Sequence, residues 1–116
     1  MRVAGKRFAR LCVAIRFEWD EEKAASNLRK HAISFAEAST LFTCGVDYLE
    51  IFDAEHSLEE ERFICIGPIT RGIVVIVTVN VDTDVIRIIS ARRATRRESR
   101  LCEQYLEERS HGRRPF

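Results

Sequence analysis

Residues 85–100, VIRIISARRATRRESR, contain a predicted strand and the start of a predicted helix. Residues 85–89 are rich in β-branched side chains, which favours a buried strand. Thr95 and Glu98 have the spacing of a capping box, in which each side chain binds an orphan amide of the first helical turn. The corner carries six arginines: Arg87, Arg92, Arg93, Arg96, Arg97 and Arg100. Because helix N-termini and guanidinium groups both bind phosphate, this stretch predicts an anion-binding corner.

Charge is segregated along the chain of 116 residues, although its formal net charge is only +1. Residues 1–16 carry five basic groups and no acidic group, which gives +5. Residues 17–86 carry 14 acidic and five basic groups, −9, and residues 87–116 carry nine arginines and four glutamates, +5. This pattern favours a basic surface for an anion and an acidic surface for a basic partner, although charge blocks are also typical of solvated faces.

The composition, 46% hydrophobic and 32% charged residues, is that of one globular domain. No apolar run approaches the roughly 18 residues of a membrane span, and the run at 11–15 is shorter than the ~7–15 residues of a signal peptide. We therefore expect a cytoplasmic protein that has no contact with a membrane. The four cysteines are scattered without a C-x-x-C pair, which argues against zinc and favours Cys65 and Cys102 as buried free thiols.

The first half of the chain predicts a short edge strand and two helices. Residues 17–19 are the strand, Asp20 caps a helix that runs to about His31, and the capping box of Ser34 and Glu37 starts another that stops at Gly45. Helical spacing predicts these inward-facing residues: Ala24, Ala25, Leu28 and Ala32 in the first helix, and Phe35, Ala38, Leu41 and Phe42 in the second.

From residue 46 the hydrophobic period changes to two, which predicts strands over 46–52, 62–66, 73–79 and 85–91. Gly67 and Pro68 interrupt the second strand, and short turns make the sheet antiparallel. A last helix runs from Arg96 to about residue 108, with Leu101, Tyr105 and Leu106 facing inward. The predicted class is α+β, with two N-terminal helices, a four-stranded antiparallel sheet and a C-terminal helix.

Four segments resemble the BrnT toxins of bacterial type II toxin–antitoxin systems: FEWDEEKAASNLRKHAISFAEA (17–38), EERFICIG (60–67), RGIVVIV (71–77) and RIISARRATRRE (87–98). The resemblance implies a RelE-like ribonuclease domain over residues 16–108, with a basic extension at 1–15 and a tail at 109–116. It also implies RNA cleavage that arrests translation and growth, and neutralisation by a BrnA-like antitoxin whose own domain binds operator DNA. The family usually has glycine where this chain has Ala32, at a helix end that suits a left-handed residue.

Metal-independent RNA cleavage needs a base for the 2′-OH, cations for the charge at phosphorus and an acid for the leaving oxygen. No metal or other cofactor is expected. His31 is the histidine within the resembling segments and suits either proton-transfer role, but it also fits a helix end, where it would stabilise the last carbonyls. Lys30 can neutralise a phosphate or be a solvated lysine. Lys23 shares its helix face and can line the same groove.

Arginines supply the predicted phosphate contacts. Arg62 opens a strand and either clamps the scissile phosphate or pairs with the acidic residues 59–61. Arg87, inside a β-branched strand, either faces RNA or forms a salt bridge with Asp82 or Asp84. On a regular strand Arg87 and Arg92 point to opposite faces, so both touch RNA only if the strand ends or bulges near residues 90–91.

The sequence thus predicts two sets of site residues. The catalytic set is Lys30, His31, Arg62, Arg87 and Arg92, and the RNA-binding set is Lys23, Arg93, Arg96 and Arg97. The alternative is a module that binds nucleic acid without cleaving it, or that acts with its antitoxin as a co-repressor. Asp82 and Asp84 are a weak metal signal, since the hydrogen bonds of a turn account for them.

Overall fold

A computed structural model of the chain describes residues 2–3, 15–56 and 60–112. The first half contains β1 (Arg2–Val3), β2 (Arg16–Glu18), α1 (Glu21–His31), α2 (Phe35–Thr43), β3 (Leu49–Phe52) and a 3₁₀ turn (Ala54–His56). The second half contains β4 (Arg62–Ile69), β5 (Gly72–Asp82), β6 (Val85–Arg93) and α3 (Arg96–Gly112). The predicted α+β class is correct.

The sheet in the described part of the chain has six strands in the order β1-β3-β4-β5-β6-β2. The predicted antiparallel strands form its centre. The prediction of a purely antiparallel, four-stranded sheet is wrong, because β2 joins the edge beside β6 in parallel, with Glu18 opposite Arg87. β1 adds two residues to the other edge, antiparallel to β3. Since α1 and α2 separate β2 from the other strands in sequence, its direction depends on their packing and not on a turn.

All four predicted main strands differ in their limits from the structure; β5 runs from Gly72 to Asp82 instead of 73–79, and β6 continues to Arg93 instead of residue 91. The strand predicted over residues 46–52 is β3, which begins at Leu49. β4 does not end at residue 66 but continues through Gly67 and Pro68 to Ile69. A Cβ at Gly67 would lie 2.6 Å from Leu41 Cδ1, so this glycine lets α2 approach the strand. The pairing of β4 with β3 ends at Ile66. Pro68 lies beyond this point, so no hydrogen bond to β3 is lost because proline lacks an N–H.

The hydrophobic core lies in two layers, one on each face of the sheet. On one face Ile33, Phe35, Ala38 and Leu41 pack against Phe63, Cys65, Ile76, Ile88 and Ala91. On the other face Cys102, Tyr105 and Leu106 of α3 pack against Leu49, Ile51, Ile66 and Val75. We call the first the α1/α2 face and the second the α3 face. The side chains of each strand alternate between them.

Local capping patterns correctly predict the helix starts. Asp20 accepts the amides of Glu22 and Lys23 at the start of α1. Ser34 and Glu37 form the reciprocal bonds of the capping box at α2. Thr95 and Glu98 do the same at α3, with N···O distances of 2.8 and 3.2 Å. These contacts span two or three residues, which is why they are predictable from spacing alone.

The predicted inner faces of the helices are right for α2 and partly wrong for α1 and α3. Leu28 is 48% exposed and Ala25 is also exposed, whereas Asn27 is buried. In α3 Leu101 is exposed and Cys102 is buried instead, although Tyr105 and Leu106 face the core as predicted. Cys65 and Cys102 are buried free thiols, also as predicted. α3 continues past residue 108 to Gly112. None of the helices in the described ranges is long and apolar enough to cross a membrane.

Candidate functional site

A β-bulge in β6 places Arg87 and Arg92 on the same face of the sheet. Thr78 of β5 is opposite Ile88 and Val77 is opposite Ser90, so Ile89 is an extra residue. Without it the two arginines would point to opposite faces. Ile88 and Ala91, which flank the bulge, both belong to the core under the α1/α2 face. Arg87 and Arg92 therefore both point to the α3 face.

Arg62 lies on this α3 face as well. It is opposite Val79 of β5, and Val79 is opposite Arg87 of β6, so the three residues form one row across neighbouring strands. Directly opposed residues in a sheet share a face. Arg92 lies on the same face but further along β6, opposite Val75. We call Arg62, Arg87 and Arg92 together the arginine row. The sheet thus places three of the residues predicted to be catalytic on one face, although Arg62 is distant from the other two in sequence.

Arg87 is held by two carboxylates at the surface. Its Nη2 donates to Glu18 Oε1 at 3.1 Å and its Nη1 donates to Glu60 Oε2 at 3.3 Å. The Arg87 side chain is 39% exposed, so both ion pairs lie in a solvent-screened setting, where they contribute little free energy. A phosphate can therefore exchange for either carboxylate at low cost. The predicted alternative partners are wrong, since Asp84 approaches Arg16 at 4.0 Å and Asp82 accepts the amide of Thr83.

Arg92 makes a bidentate pair with Glu98 in the first turn of α3. The Nη1–Oε1 distance is 2.7 Å and the Nη2–Oε2 distance is 2.8 Å. These hydrogen bonds from Arg92 lower the pKa of Glu98 to about 2 and raise the pKa of the Arg92 guanidinium. The same Glu98 completes the capping box of α3, so the helix start and the end of the arginine row are joined by one carboxylate.

The other predicted arginines lie around this corner. Arg93 follows Arg92 and is opposite Val74, on the α1/α2 face, where its Nη1 donates to the carbonyl of Arg71. Arg93 therefore does not extend the arginine row. Arg96 and Arg97 are exposed on the first turn of α3, beside Arg92.

Asn27 fixes α1 beside the strand that carries these arginines. Its side chain donates to the carbonyl of Ala91 at 2.7 Å and accepts the amide of Ala91 at 3.1 Å, and it also donates to the carbonyl of Ile33. Backbone polar groups of a strand point sideways. Since β2 is paired with β6 only as far as Arg87, Asn27 closes the outer edge of β6 beyond that point.

The same side of α1 as Asn27 also carries Lys23, Lys30 and His31. Lys23 precedes Asn27 by four positions, and Lys30 and His31 follow it by three and four, which is the spacing of one helical turn. All three side chains are exposed. Lys23 lines a pocket with Arg87, Glu18, Trp19 and Asp20. No hydrogen bond or ion pair within residues 15–56 and 60–112 connects Lys30 or His31 to the arginine row, so the structure places them along the same edge but not in contact.

Ala32, directly after His31, has left-handed backbone angles, φ 59° and ψ 26°, and its amide binds the carbonyl of Leu28. Glycine is the usual residue at such a helix end, and alanine there costs about 1 kcal/mol. The position at which this chain has alanine instead of the glycine of the resembling family is therefore a strained one. α1 nevertheless ends at His31.

Several residues at this site were not predicted from the sequence. Glu18 and Glu60 contact Arg87, and Asn27 contacts Ala91, yet these residues are 27 or more positions apart. No local spacing relates them. Glu98 was predicted as a helix cap but not as the partner of Arg92. No group of three or more His, Cys, Asp or Glu side chains in the described ranges is arranged to hold a metal ion.

The sequence model of one family, described as the ribonuclease toxin BrnT of type II toxin–antitoxin systems, matches residues 19–98. Among solved structures the fold is similar to the 1.1 Å crystal structure of the Brucella abortus ribonuclease toxin BrnT, with a TM-score of 0.55 and 24% sequence identity. That match covers 72% of this chain and 100% of the Brucella chain. No curated protein matches the sequence.

Proposed function

The chain belongs to the BrnT family of type II toxin–antitoxin ribonuclease toxins, and from this premise we propose that it cleaves RNA without a metal ion, through the 2′-OH. Cleavage arrests translation and growth until a cognate antitoxin binds. The observation that carries the proposal is the arginine row, because the β6 bulge turns Arg87 and Arg92 to the face on which Arg62 lies.

The arginine row supplies the electrostatic part of the reaction. Attack by the 2′-OH builds negative charge on the phosphoryl oxygens, and fixed guanidinium groups stabilise that charge. Arg87 and Arg92 are held in place by carboxylates on neighbouring elements before RNA binds. On binding, phosphate oxygens replace Glu18 or Glu60 as acceptors for Arg87. Arg92 keeps its bidentate pair with Glu98 and binds phosphate through the N–H groups that this pair leaves available.

We assign proton transfer to a residue of α1. Lys30 and His31 follow Asn27 by one turn, and Asn27 binds the backbone of Ala91 between the bulge and Arg92. RNA lying on the arginine row and crossing the outer edge of β6 would meet these two side chains. His31 is the proposed acid–base group and Lys30 a second cation for the phosphate.

RNA extends from the row over Lys23 and over the first turn of α3. Arg96 and Arg97 are exposed there, next to helix amides that favour an anion. Of the predicted RNA-binding residues, Arg93 is the exception in position, since it lies on the α1/α2 face and binds the Arg71 carbonyl. Arg93 would contact RNA only where the RNA passes around the outer edge of β6 to the α1/α2 face.

The partner is a BrnA-like antitoxin with a DNA-binding domain, through which the toxin reaches operator DNA indirectly. Glu60 and Glu61 are exposed beside β4, and Glu21 and Glu22 are exposed on α1. Such carboxylates can pair with basic residues of the antitoxin. We expect another part of the antitoxin to cover the arginine row. Replacement of Glu59, Glu60 and Glu61 by lysine should then weaken the complex, and an unchanged Kd would contradict this docking.

The test is cleavage of single-stranded RNA in EDTA by purified protein freed of antitoxin. RNA should be cut to products with 2′,3′-cyclic phosphate or 3′-phosphate ends, whereas DNA of the same sequence and RNA with one 2′-deoxy nucleotide at the cut site should stay intact. Cleavage that requires a metal ion would reject the mechanism. Salt-dependent binding by folded protein that leaves RNA intact would favour the non-catalytic module.

A further inference from the structure

A pocket of about 340 Å³ opens between the end of β2, the start of α1 and Arg87. Its lining combines one aromatic ring, two cations and two carboxylates: Trp19, Lys23, Arg87, Glu18 and Asp20. A volume of this order suits a small polar ligand. Because the pocket includes Arg87, it opens directly beside the arginine row.

Trp19 gives the pocket a rigid aromatic wall. It is half-buried, and its ring makes a T-shaped contact with Phe35, with a centroid distance of 5.9 Å and an interplanar angle of 77°. Phe35 belongs to the core. An indole fixed in this way loses little entropy when a base stacks on it, and stacking of bases on aromatic side chains is a general means of binding single-stranded RNA.

The charged groups of the pocket suit a nucleotide better than a simple anion. Lys23 and Arg87 can donate to a phosphate, but Glu18 and Asp20 would repel one. Glu18 is already paired with Arg87 through Oε1. Asp20 uses Oδ1 to accept the amides of Glu22 and Lys23, and its Oδ2 makes no hydrogen bond within the described residues. A ligand that satisfies the pocket therefore carries both a negative group and hydrogen-bond donors.

We propose that this pocket is a nucleotide subsite that takes a guanine of the RNA, next to the phosphate bound by Arg87. Guanine presents two adjacent N–H donors on its Watson–Crick edge, which match a carboxylate. It also has acceptors at O6 and N7, which match Lys23. This inference rests on the proposed function for the identity of the ligand as RNA, but the pocket can be tested without cleavage.

Trp19 is the only tryptophan of the chain, so its fluorescence reports on this pocket alone. Titration of the purified chain with guanosine monophosphate should quench the fluorescence in a saturable way, because the base stacks on the indole. Lys23→Ala should raise the Kd about tenfold, since a hydrogen bond to a charged group is lost. Arg29→Ala removes the same charge from the same helix outside the pocket and should leave the Kd unchanged. Absence of saturable quenching, or equal effects of the two variants, would overturn the proposal.

Comparison with inosine monophosphate tests the base contact, because inosine lacks only the 2-amino donor of guanine. We expect guanosine monophosphate to bind about tenfold more tightly, and Asp20→Asn to abolish the difference. Asparagine caps a helix as well as aspartate does, so this variant should fold. Equal Kd values in the wild type, or a difference that survives in Asp20→Asn, would refute guanine recognition by Asp20.

The two proposals fail in different ways. Saturable quenching without RNA cleavage would reject the ribonuclease mechanism and leave the subsite in place. Cleavage without saturable quenching would reject the subsite alone. In RNA libraries, an active enzyme should show a preference for guanine beside the cut, and this preference should weaken in Asp20→Asn.

Discussion

Arg87 and Arg92 share one face of β6 although their positions differ by five, because Ile89 is accommodated as an extra residue between them. A regular strand would have turned Arg92 to the α1/α2 face. The bulge therefore decides which arginines lie on the same face as Arg62. It also explains why Arg93, in phase with Arg87 along the sequence, is directed to the other face and to the Arg71 carbonyl.

The guanidinium forks of the arginine row should matter more than their charge. Lysine in place of Arg87 or Arg92 keeps the charge but loses the planar pair of donors, so each variant should lose about 10²-fold in kcat/KM for RNA cleavage. Arg29→Lys, exposed on α1, is the control and should keep wild-type activity. Full activity of a folded Arg92→Lys protein would remove that fork from the mechanism.

His31→Ala should reduce kcat by about 10²–10⁴-fold with little change in KM, because loss of an acid–base group slows the chemical step without weakening RNA binding. Single-turnover cleavage measures this directly. Wild-type activity would exclude His31 from the reaction, and a change confined to KM would make it an RNA contact. The same assay on Glu18→Gln tests whether the carboxylate at Arg87 takes a proton instead.

The Arg92–Glu98 pair should make stability depend on acid pH. The pKa of Glu98 is lowered from 4.5 to about 2 in the folded state, mainly by Arg92. The stabilisation is therefore complete above the unfolded-state pKa and is lost as the pH falls from about 4.5 towards 2. Allowing for solvent screening, Glu98→Gln should lower the free energy of unfolding by about 1–2 kcal/mol at pH 7.

Urea denaturation at pH 7, 4 and 2 measures this difference. It should become much smaller at pH 2, because Glu98 is then almost fully protonated in the unfolded wild type and about half protonated in the folded protein. Glutamine can still accept the Thr95 amide, so the helix cap survives. Glu107→Gln, exposed on the same helix, should show no such trend. A difference that is independent of pH would contradict the assignment.

Asn27→Ala should destabilise the fold by about 3 kcal/mol, because it leaves the amide and carbonyl of Ala91 and the carbonyl of Ile33 without their side-chain partner in a buried position. Ser26→Ala, one residue away, should cost much less. Chemical denaturation measures both, and equal values would mean that the edge of β6 is closed by something other than Asn27.

Glycine at residue 32 should stabilise the protein. Ala32 has φ 59°, where glycine is free of the strain on Cβ, so Ala32→Gly should raise the free energy of unfolding by about 1 kcal/mol. Ala25→Gly, at an exposed interior position of α1, should lower it by about the same amount. Effects of the same sign in thermal unfolding would contradict the left-handed cap.

Much of the local structure was predictable because its causes lie within a few residues. The capping boxes of Ser34–Glu37 and Thr95–Glu98 were predictable, as were the α+β class and the family. The inner face of α1 was not, because an apolar stripe suggested Leu28, whereas the buried residue is the polar Asn27. Its partner is 64 positions away, and no helical spacing reveals such a contact.

The candidate site shows the same contrast between features with local causes and features with long-range causes. By itself the sequence determined that a strand rich in arginine leads into a capped helix, since strand propensity and capping act between neighbours in the chain. Only the tertiary structure decided that Arg62, Arg87 and Arg92 lie on one face. The face of each side chain depends on the register between strands and on where an extra residue is accommodated, and both are set by packing against α1, α2 and α3.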